Sequence, residues 1–382
     1  MIYFDNAATS YPKIPAVKEE IIRVLTEYGG NPGRGDYDLS RKTSKYLFQS
    51  RKELGAFFGL GRGSHMVYTM NATEAANVVI KGFLRKGMHV VYSKSEHNAI
   101  WRPLKVMEAR GITLTAVDAG AETDGSICQW EDAIRNNTKL FIVGHASNVT
   151  GAIQPLKKIT ALGRRYGIRT LSDMAQTAGF LPIDLIDLDL DFAVFAGHKG
   201  LLGPGGVGAL YVKEEELLAP LKEGGTGFNS HSASQPKQLP TALESGTPNM
   251  LGIGGLRAGI EYIERRGVAT ITEQEWGSAQ RFMFGLREMP QISVYGPPPS
   301  ILRIPVVSIN VEGLPGQEVS AYLEEKGGIA VRSGLHCAPL IHQSIGTLQR
   351  GTVRFSFGLQ NKEEEVDLAL EILNALIRKT KA

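Results

Sequence analysis

From about residue 66 onward, short apolar runs alternate with stretches of helical period, and this constrains the fold more than any other feature of the chain. Runs at His89–Tyr92, Leu140–Val143, Arg169–Leu171 and Phe192–Phe195 read as strands covered on both faces. Strands spaced by helices imply a mostly parallel sheet with helices on both sides, an α/β architecture. Val207–Val212 reads as a further strand, returning beside the one that ends at Phe195. Upstream, Val17, Ile21, Val24, Leu25 and Tyr28 recur at helical spacing, and Gly29-Gly30 stops that helix. Asn31–Gly35 is a loop, and a second helix carries Leu47, Leu54, Phe57 and Phe58 toward a core. The C-terminal part reads as helices at Met250–Arg265 and through Trp276 and Phe284, then a break at Tyr295–Pro299. Strands at Val306–Val311, Ile329–Val331 and Val353–Phe357 follow, with helices near Gly316–Glu325 and Lys362–Arg378. The expected organisation is an N-terminal arm over residues 1–14, a large domain over 15–250, and a smaller α+β domain over 251–382 that includes the connecting helix.

Composition narrows the function. With 382 residues there is room for about two or three domains. A 42% hydrophobic and 21% charged chain is ordinary for a soluble globular protein and excludes disorder or collagen-like repeats. A net charge of +3 gives no reason to expect a nucleic-acid or membrane partner. Two cysteines, Cys128 and Cys337, cannot build a disulfide framework or a four-thiolate metal site, and no metal is expected. The opening MIYFDNAATS lacks a basic stretch followed by an apolar core, so no secretory signal is expected. No run approaches ~18 apolar residues, so no membrane-spanning helix is expected, and the chain reads as a cytoplasmic enzyme.

Candidate chemistry gathers where strands end. The run Phe192–Phe195 leads into Ala196-Gly197-His198-Lys199-Gly200 and a glycine cluster, and open α/β sheets bind ligands at the carboxyl ends of their strands. An earlier strand leads into Ser172-Asp173-Met174-Ala175-Gln176. Lys199 and Asp173 could form a buried ion pair. They could equally grip pyridoxal phosphate, the lysine as imine former and the acid on the pyridine nitrogen. Asn71-Ala72-Thr73-Glu74 opens a helix and is either a plain cap or, through backbone N–H groups and the Thr73 hydroxyl, a phosphate site. His97, in Glu96-His97-Asn98, is either a structural histidine or a ring placed to stack.

These pieces resemble a known family. Tyr3–Thr9, Asn71–Glu74, Glu96–Asn98, Ser147-Asn148, Asp173–Gln176, Gly197–Lys199, Ser245–Asn249 and Arg332–Cys337 run along the chain as they do in the fold-type I pyridoxal-phosphate enzymes of the class V aminotransferase group. Within that group the chain is most similar to the cysteine desulfurases, in the branch that also holds the selenocysteine lyases. The resemblance implies a seven-stranded, mostly parallel sheet in the large domain and pyridoxal 5'-phosphate as cofactor. It implies that Lys199 links to the cofactor and shuttles the Cα proton, and that Asp173 bonds the pyridine nitrogen and Gln176 the phenolic oxygen. His97 would stack on the ring and move a proton. Ala72, Thr73 and His198 would hold the phosphate, with Thr247 reaching it from the other subunit of a homodimer. Asn148 would lie near the ring and substrate, and Arg354 would clamp the substrate α-carboxylate, a bidentate task that suits guanidinium.

Cys337 decides the chemistry that the resemblance implies. A lone cysteine is ordinarily a small buried hydrophobe. Here Arg332-Ser333-Gly334-Leu335-His336-Cys337-Ala338-Pro339 is loop-like, and Arg332 and His336 add positive character that favours thiolate. The implied reaction takes sulfur from L-cysteine onto Cys337 as a persulfide, leaves L-alanine, and passes the sulfur to an acceptor such as a protein; L-selenocysteine is the alternative substrate, for an enzyme in which Cys337 matters less. Ala196, where relatives often carry a hydroxyl, and Leu335, where they commonly carry a histidine, depart from the pattern. Cys128 has no comparable setting and reads as packing or incidental. The competing readings are a selenocysteine lyase or another β-eliminating enzyme, an aminotransferase or epimerase, and a catalytically idle scaffold. The retention of Lys199 with Asp173 and His97 speaks against the last.

Overall fold

The computed structural model describes residues 1–61, 63–118, 124–214, 218–227 and 231–381. In chain order the elements are β1 (Ile2–Tyr3), α1 (Pro15–Glu27), α2 (Asp38–Phe57), β2 (Met66–Thr69), α3 (Ala72–Phe83), β3 (His89–Ser93), α4 (Asn98–Glu108), β4 (Thr113–Val117) and α5 (Asp124–Asp132). Next come β5 (Thr138–Gly144), α6 (Leu156–Arg165), β6 (Arg169–Asp173), β7 (Phe192–Ala196), β8 (Gly208–Val212), α7 (Met250–Arg266) and α8 (Val268–Leu286). The C-terminal part holds β9 (Ile292–Tyr295), β10 (Val306–Val311), α9 (Gly316–Gly327), β11 (Ile329–Ala330), β12 (Arg332–Gly334), α10 (Pro339–Ser344), β13 (Thr352–Ser356) and α11 (Glu363–Lys381).

Seven strands form one sheet in the order β2-β8-β7-β6-β5-β3-β4. Only β8 runs against the rest, antiparallel to both β7 and β2. The apolar runs are continuous because each strand feeds two cores. Phe141 and Val143 of β5 pack on one side of the sheet, while Leu140 and Ile142 pack on the other. In β7, Ala193 and Phe195 face the first core, and Phe192 and Val194 the second. Each of the larger of these side chains contributes about 1.5–3 kcal/mol when fully buried.

Of the N-terminal helix face, Val17 and Val24 are buried, but Leu25 is 64% exposed, so the apolar stripe is wider than the surface it covers within this chain. Helix α7 packs on α1, and its Ile253, Leu256, Ile260 and Ile263 join the core that holds Val17. The two backbones lie close because Gly254 has no side chain; a Cβ there would stand 2.6 Å from Val24 Cγ2.

A second, four-stranded antiparallel sheet runs β12-β13-β10-β9 over a core of Phe282, Val307, Phe355 and Leu373. The arm enters this core through Phe4, and β1 pairs in parallel with β11. Three details differ from the sequence reading. Met66–Thr69 and Thr113–Val117 are strands that it did not include, the second at the sheet edge where side chains are only partly covered. The break at Tyr295 follows a short strand, β9, whose Val294 is exposed. The strand read at Ile329–Val331 ends at Ala330, paired with β1, and a separate strand that it did not include, Arg332–Gly334, pairs with β13.

Candidate active site

Strands β3, β5, β6 and β7 are mutually parallel, so their carboxyl ends, and the residues that follow them, meet on one edge of the sheet. A cavity of about 220 Å³ opens there. Its lining includes Thr73, His97, Asn148, Asp173, His198, Lys199 and, from the smaller sheet, Arg354. Ala72 and Gln176 line it too. Nine of the residues singled out in the sequence thus converge on one space.

Asp173 closes β6, where it sits opposite Val194 of β7. Its Oδ1 accepts a hydrogen bond from Ala175 N at 2.9 Å. Burial raises its pKa, against the lowering effect of that N–H and of Lys199. Lys199 stands in the turn after β7. Gly197 N donates to Val207 O (3.1 Å) and Gly203 N to Gly197 O (2.8 Å), which folds the glycine-rich stretch back on itself. The turn lies against Gly179, where φ is +87° and a Cβ would meet Gly200 O at 2.2 Å, so only glycine fits. Burial brings the Lys199 amine down to about 8, with Asp173 opposing and Arg354 and Arg332 adding to the fall. Among the described residues no hydrogen bond engages its Nζ.

His97 caps α4, its Nδ1 accepting from Ala99 N at 3.0 Å. That bond leaves the ring proton on Nε2. Burial, then the nearby Lys199, Arg332, Arg354 and Arg102, push its pKa down to about 4, so the ring is neutral at ordinary pH. Its neighbour Glu96 is buried; Oε1 accepts from Gly144 N (2.6 Å) and Ser93 Oγ (3.0 Å), and Oε2 has no partner. Burial, aided by Asp173, raises Glu96 to about 8, which makes it a neutral acid at pH 7.

At the start of α3, Asn71 Oδ1 accepts from Glu74 N at 2.8 Å. The first-turn N–H groups of Ala72 and Thr73 are left at the cavity wall, as helix starts leave them. Ala196 is buried in contact with Ala72 and Ala175, a floor of three small side chains. Gln176 Nε2 donates to Ala7 O (3.1 Å), and His198 is brought down to about 4 by burial first and then by Lys199 and Lys13.

Arg354, 1% exposed in β13, donates through Nη2 to Asp5 Oδ1 (2.7 Å) and through Nη1 to Asn148 O (3.2 Å). Its Nε is buried with no partner. Asn148 Nδ2 donates to His336 O at 2.7 Å, so this amide holds the cysteine segment. Cys337 lies beside the cavity: Arg332 Nη2, from a residue that lines it, is 3.3 Å from Sγ, and Asn98 N donates to Cys337 O at 2.7 Å. The segment read as a loop is a short strand and a tight turn, with Gly334, His336 and Cys337 at φ of +116°, +48° and +57°. Two successive non-glycine residues in the left-handed region persist only when their surroundings hold them there. Here Asn148, Asn98 and the His336 Nε2 contacts to Thr352 do so.

Thr247 is not in this cavity. It lines a second one of about 910 Å³ and is 3.4 Å from Asn31 Nδ2. Cys128 is exposed on α5, which leaves it no packing role. Sequence reasoning missed Asp5, Glu96 and Asn98. Asp5 and Arg354 are hundreds of positions apart, and no local pattern joins them. Glu96 and Asn98 flank His97 and could have been weighed with it.

With the geometry in place, likeness to known proteins becomes informative. The family model "Aminotransferase class-V" matches residues 2–369. A probable cysteine desulfurase of Methanothermobacter thermautotrophicus is 33% identical over 384 residues, covering 98% of this chain and 94% of that protein. A probable cysteine desulfurase of Pyrococcus abyssi is also 33% identical, covering 99% and 94%. Among solved structures, the apo cysteine desulfurase of Thermococcus onnurineus superposes with a TM-score of 0.92 at 33% identity, covering 99% of this chain and 95% of that one. A cysteine desulfurase of Escherichia coli in its S-sulfonic acid form gives 0.88 at 26%, covering 98% and 94%. Fold, order of strand-end residues and full-length likeness agree, and the chain belongs to the class-V aminotransferase family.

Proposed function

We propose that the protein is a pyridoxal-phosphate-dependent L-cysteine desulfurase that yields L-alanine and a persulfide on Cys337. The observation that carries this reading is the meeting, beside one cavity, of a buried lysine amine with no hydrogen-bond partner among the described residues and a cysteine thiol held by a guanidinium.

The residues present fit the cofactor. The amine of Lys199 is free to link to an aldehyde, and the acid Asp173 stands ready for a pyridine nitrogen. The unpaired N–H groups of Ala72 and Thr73, with His198, suit a phosphate. The floor of three alanines leaves room for a flat ring. When bound, such a group supplies an electron sink for carbanion density.

The chain's own residues would do the rest. Arg354 takes the substrate α-carboxylate, its unpaired Nε supplying a donor. Lys199 moves the Cα proton and the neutral His97 a second one. The Cys337 sulfur attacks the sulfur of the substrate; an S–S bond forms as the substrate C–S bond breaks, and the carbon left behind takes a proton to become alanine. Gln176 and Asn148 orient ring and substrate.

A homodimer completed by Thr247 is part of the proposal, supported by the second cavity, where Phe48 and Met70 are 69% and 59% exposed. So are a sulfur-acceptor protein, a cytoplasmic setting, and a division into arm, large domain and C-terminal domain, the last supported by the separate core under the four-stranded sheet. The test is radiolabelled L-cysteine. Label should remain on the protein in a reductant-sensitive form and be absent from Cys337→Ala. Equal labelling of that variant would overturn the reading. L-selenocysteine, run in parallel, separates a selenocysteine lyase, whose turnover would not need Cys337.

A further inference from the structure

One carbonyl oxygen in the molecule has an unusual number of donors. His198 O, the acceptor of the peptide that joins His198 to Lys199, receives Lys13 Nζ at 2.8 Å, Ser10 N at 3.0 Å, Thr9 Oγ1 at 3.1 Å and Ser10 Oγ at 3.2 Å. A carbonyl has two lone pairs, and one or two partners satisfy it. All four donors come from the N-terminal arm.

The cation among them is exceptional. Lys13 Nζ is half-buried and has no carboxylate partner among the described residues; its other contact is Ser10 Oγ at 2.7 Å. Taking an ammonium out of water without a counter-ion is unfavourable, so the position needs a reason beyond stability. Its backbone is fixed by the next residue, Ile14, which is 4% exposed in the core, and by α1 starting at Pro15. The arm is anchored at its other end as well. Phe4 sits in the core under the smaller sheet, and Asp5 holds Arg354.

We propose that Lys13 is a positioning residue for Lys199. Its ammonium clamps the carbonyl of the preceding peptide and so holds the lysine amine inside the cavity. The clamp also links the two ends of the chemistry through one stretch of chain, with Arg354 at Asp5 and the amine at Lys13. The inference rests on the reading of Lys199 as the reactive amine.

The test reads the amine directly. The full-length protein, stripped of cofactor, is labelled with acetic anhydride across a pH series, and the Lys199 peptide is quantified by mass spectrometry. The groups that face this amine are Asp173, Arg354, Arg332, Cys337, His97 and His198, and all stay in place in the variants. In Lys13→Met the loosened turn gives the amine access to water, and the lost burial raises its labelling midpoint. A rise of about one pH unit or more toward ordinary lysine is expected. With cofactor restored, kcat for L-cysteine should fall on the order of tenfold with KM little changed. Lys13→Arg, which keeps a charged donor, should recover most of both. Ser10→Ala, a milder loss of one of the four donors, should shift the midpoint less in the same direction, and it serves if Lys13→Met does not fold. Unchanged midpoints in the variants, or a lower melting temperature with unchanged midpoint and kcat, would overturn the assignment. If the desulfurase reading itself were wrong, Cys337→Ala would retain sulfur transfer while the labelling series still reported on Lys13.

Discussion

At the scale of single residues, the cavity sorts its ionisable groups by burial. Lys199 is brought to about 8, so part of its amine is uncharged near neutral pH, and His97 to about 4, so its imidazole stays neutral with its proton on Nε2. Purified protein should therefore be yellow, and Lys199→Ala should remove the visible absorbance band while Cys337→Ala keeps it; spectra of the three proteins decide this. Glu96 runs the other way. Its carboxyl is raised to about 8, so between the ordinary carboxylate range and pH 8 the folded chain holds a proton that the unfolded chain has lost. Stability from this group therefore falls as pH rises through that window. Glu96→Gln, which keeps the acceptor for Gly144 N, should gain stability relative to the parent by on the order of 1 kcal/mol or more at pH 8.5. The gain should nearly vanish at pH 5. Thermal melts of both proteins across that range would show a widening gap, and a constant gap would contradict it.

At the scale of elements, the active site is a set of strand ends plus two tight turns. The turn after β7 depends on Gly179, and Gly179→Ala would force a side chain into Gly200 O. Strain at the positive φ alone costs about 1–3 kcal/mol, so that variant should melt lower and lose colour together. The Cys337 turn is held from the large sheet by Asn148 and Asn98. Asn148→Ala removes one hydrogen bond to a strained segment. With about 1 kcal/mol for such a bond, persulfide formation should slow about fivefold in single-turnover assays while the protein keeps its absorbance. An unaltered rate would mean that the remaining contacts suffice. The sequence reading expected a loop around the thiol. The pairing of β12 with β13 instead makes it a supported turn, because Arg332 and Gly334 find backbone partners in Arg354 and Thr352.

At the scale of the whole molecule, apolar surface remains that the single chain does not cover. Ile22, Leu25 and Phe48 are exposed on α1 and α2, and Met70 is exposed just before α3. Leu25 continues a helical stripe that the core uses only in part, which is the pattern of a face reserved for a second chain. The protein should sediment at twice the mass of one chain, and Phe48→Glu should shift it toward the single-chain value. Since Thr247 lies on that same surface, the variant should also hold its cofactor more weakly, read as loss of colour on dilution.

The strand–helix alternation, the mostly parallel sheet and the return of β8 beside β7 were all legible in the sequence, because period and burial on both faces are local properties of the chain. So was the placing of Lys199 and Asp173 at one cavity, since one follows a strand, the other ends one, and topology carries strand ends to one edge. What tertiary structure alone decided are the contacts between distant segments: Asp5 on Arg354, Asn148 on the cysteine turn, and Lys13 on the peptide before Lys199. A hydrogen bond forms wherever folding leaves two groups within about 3 Å, and separation along the chain does not set that distance.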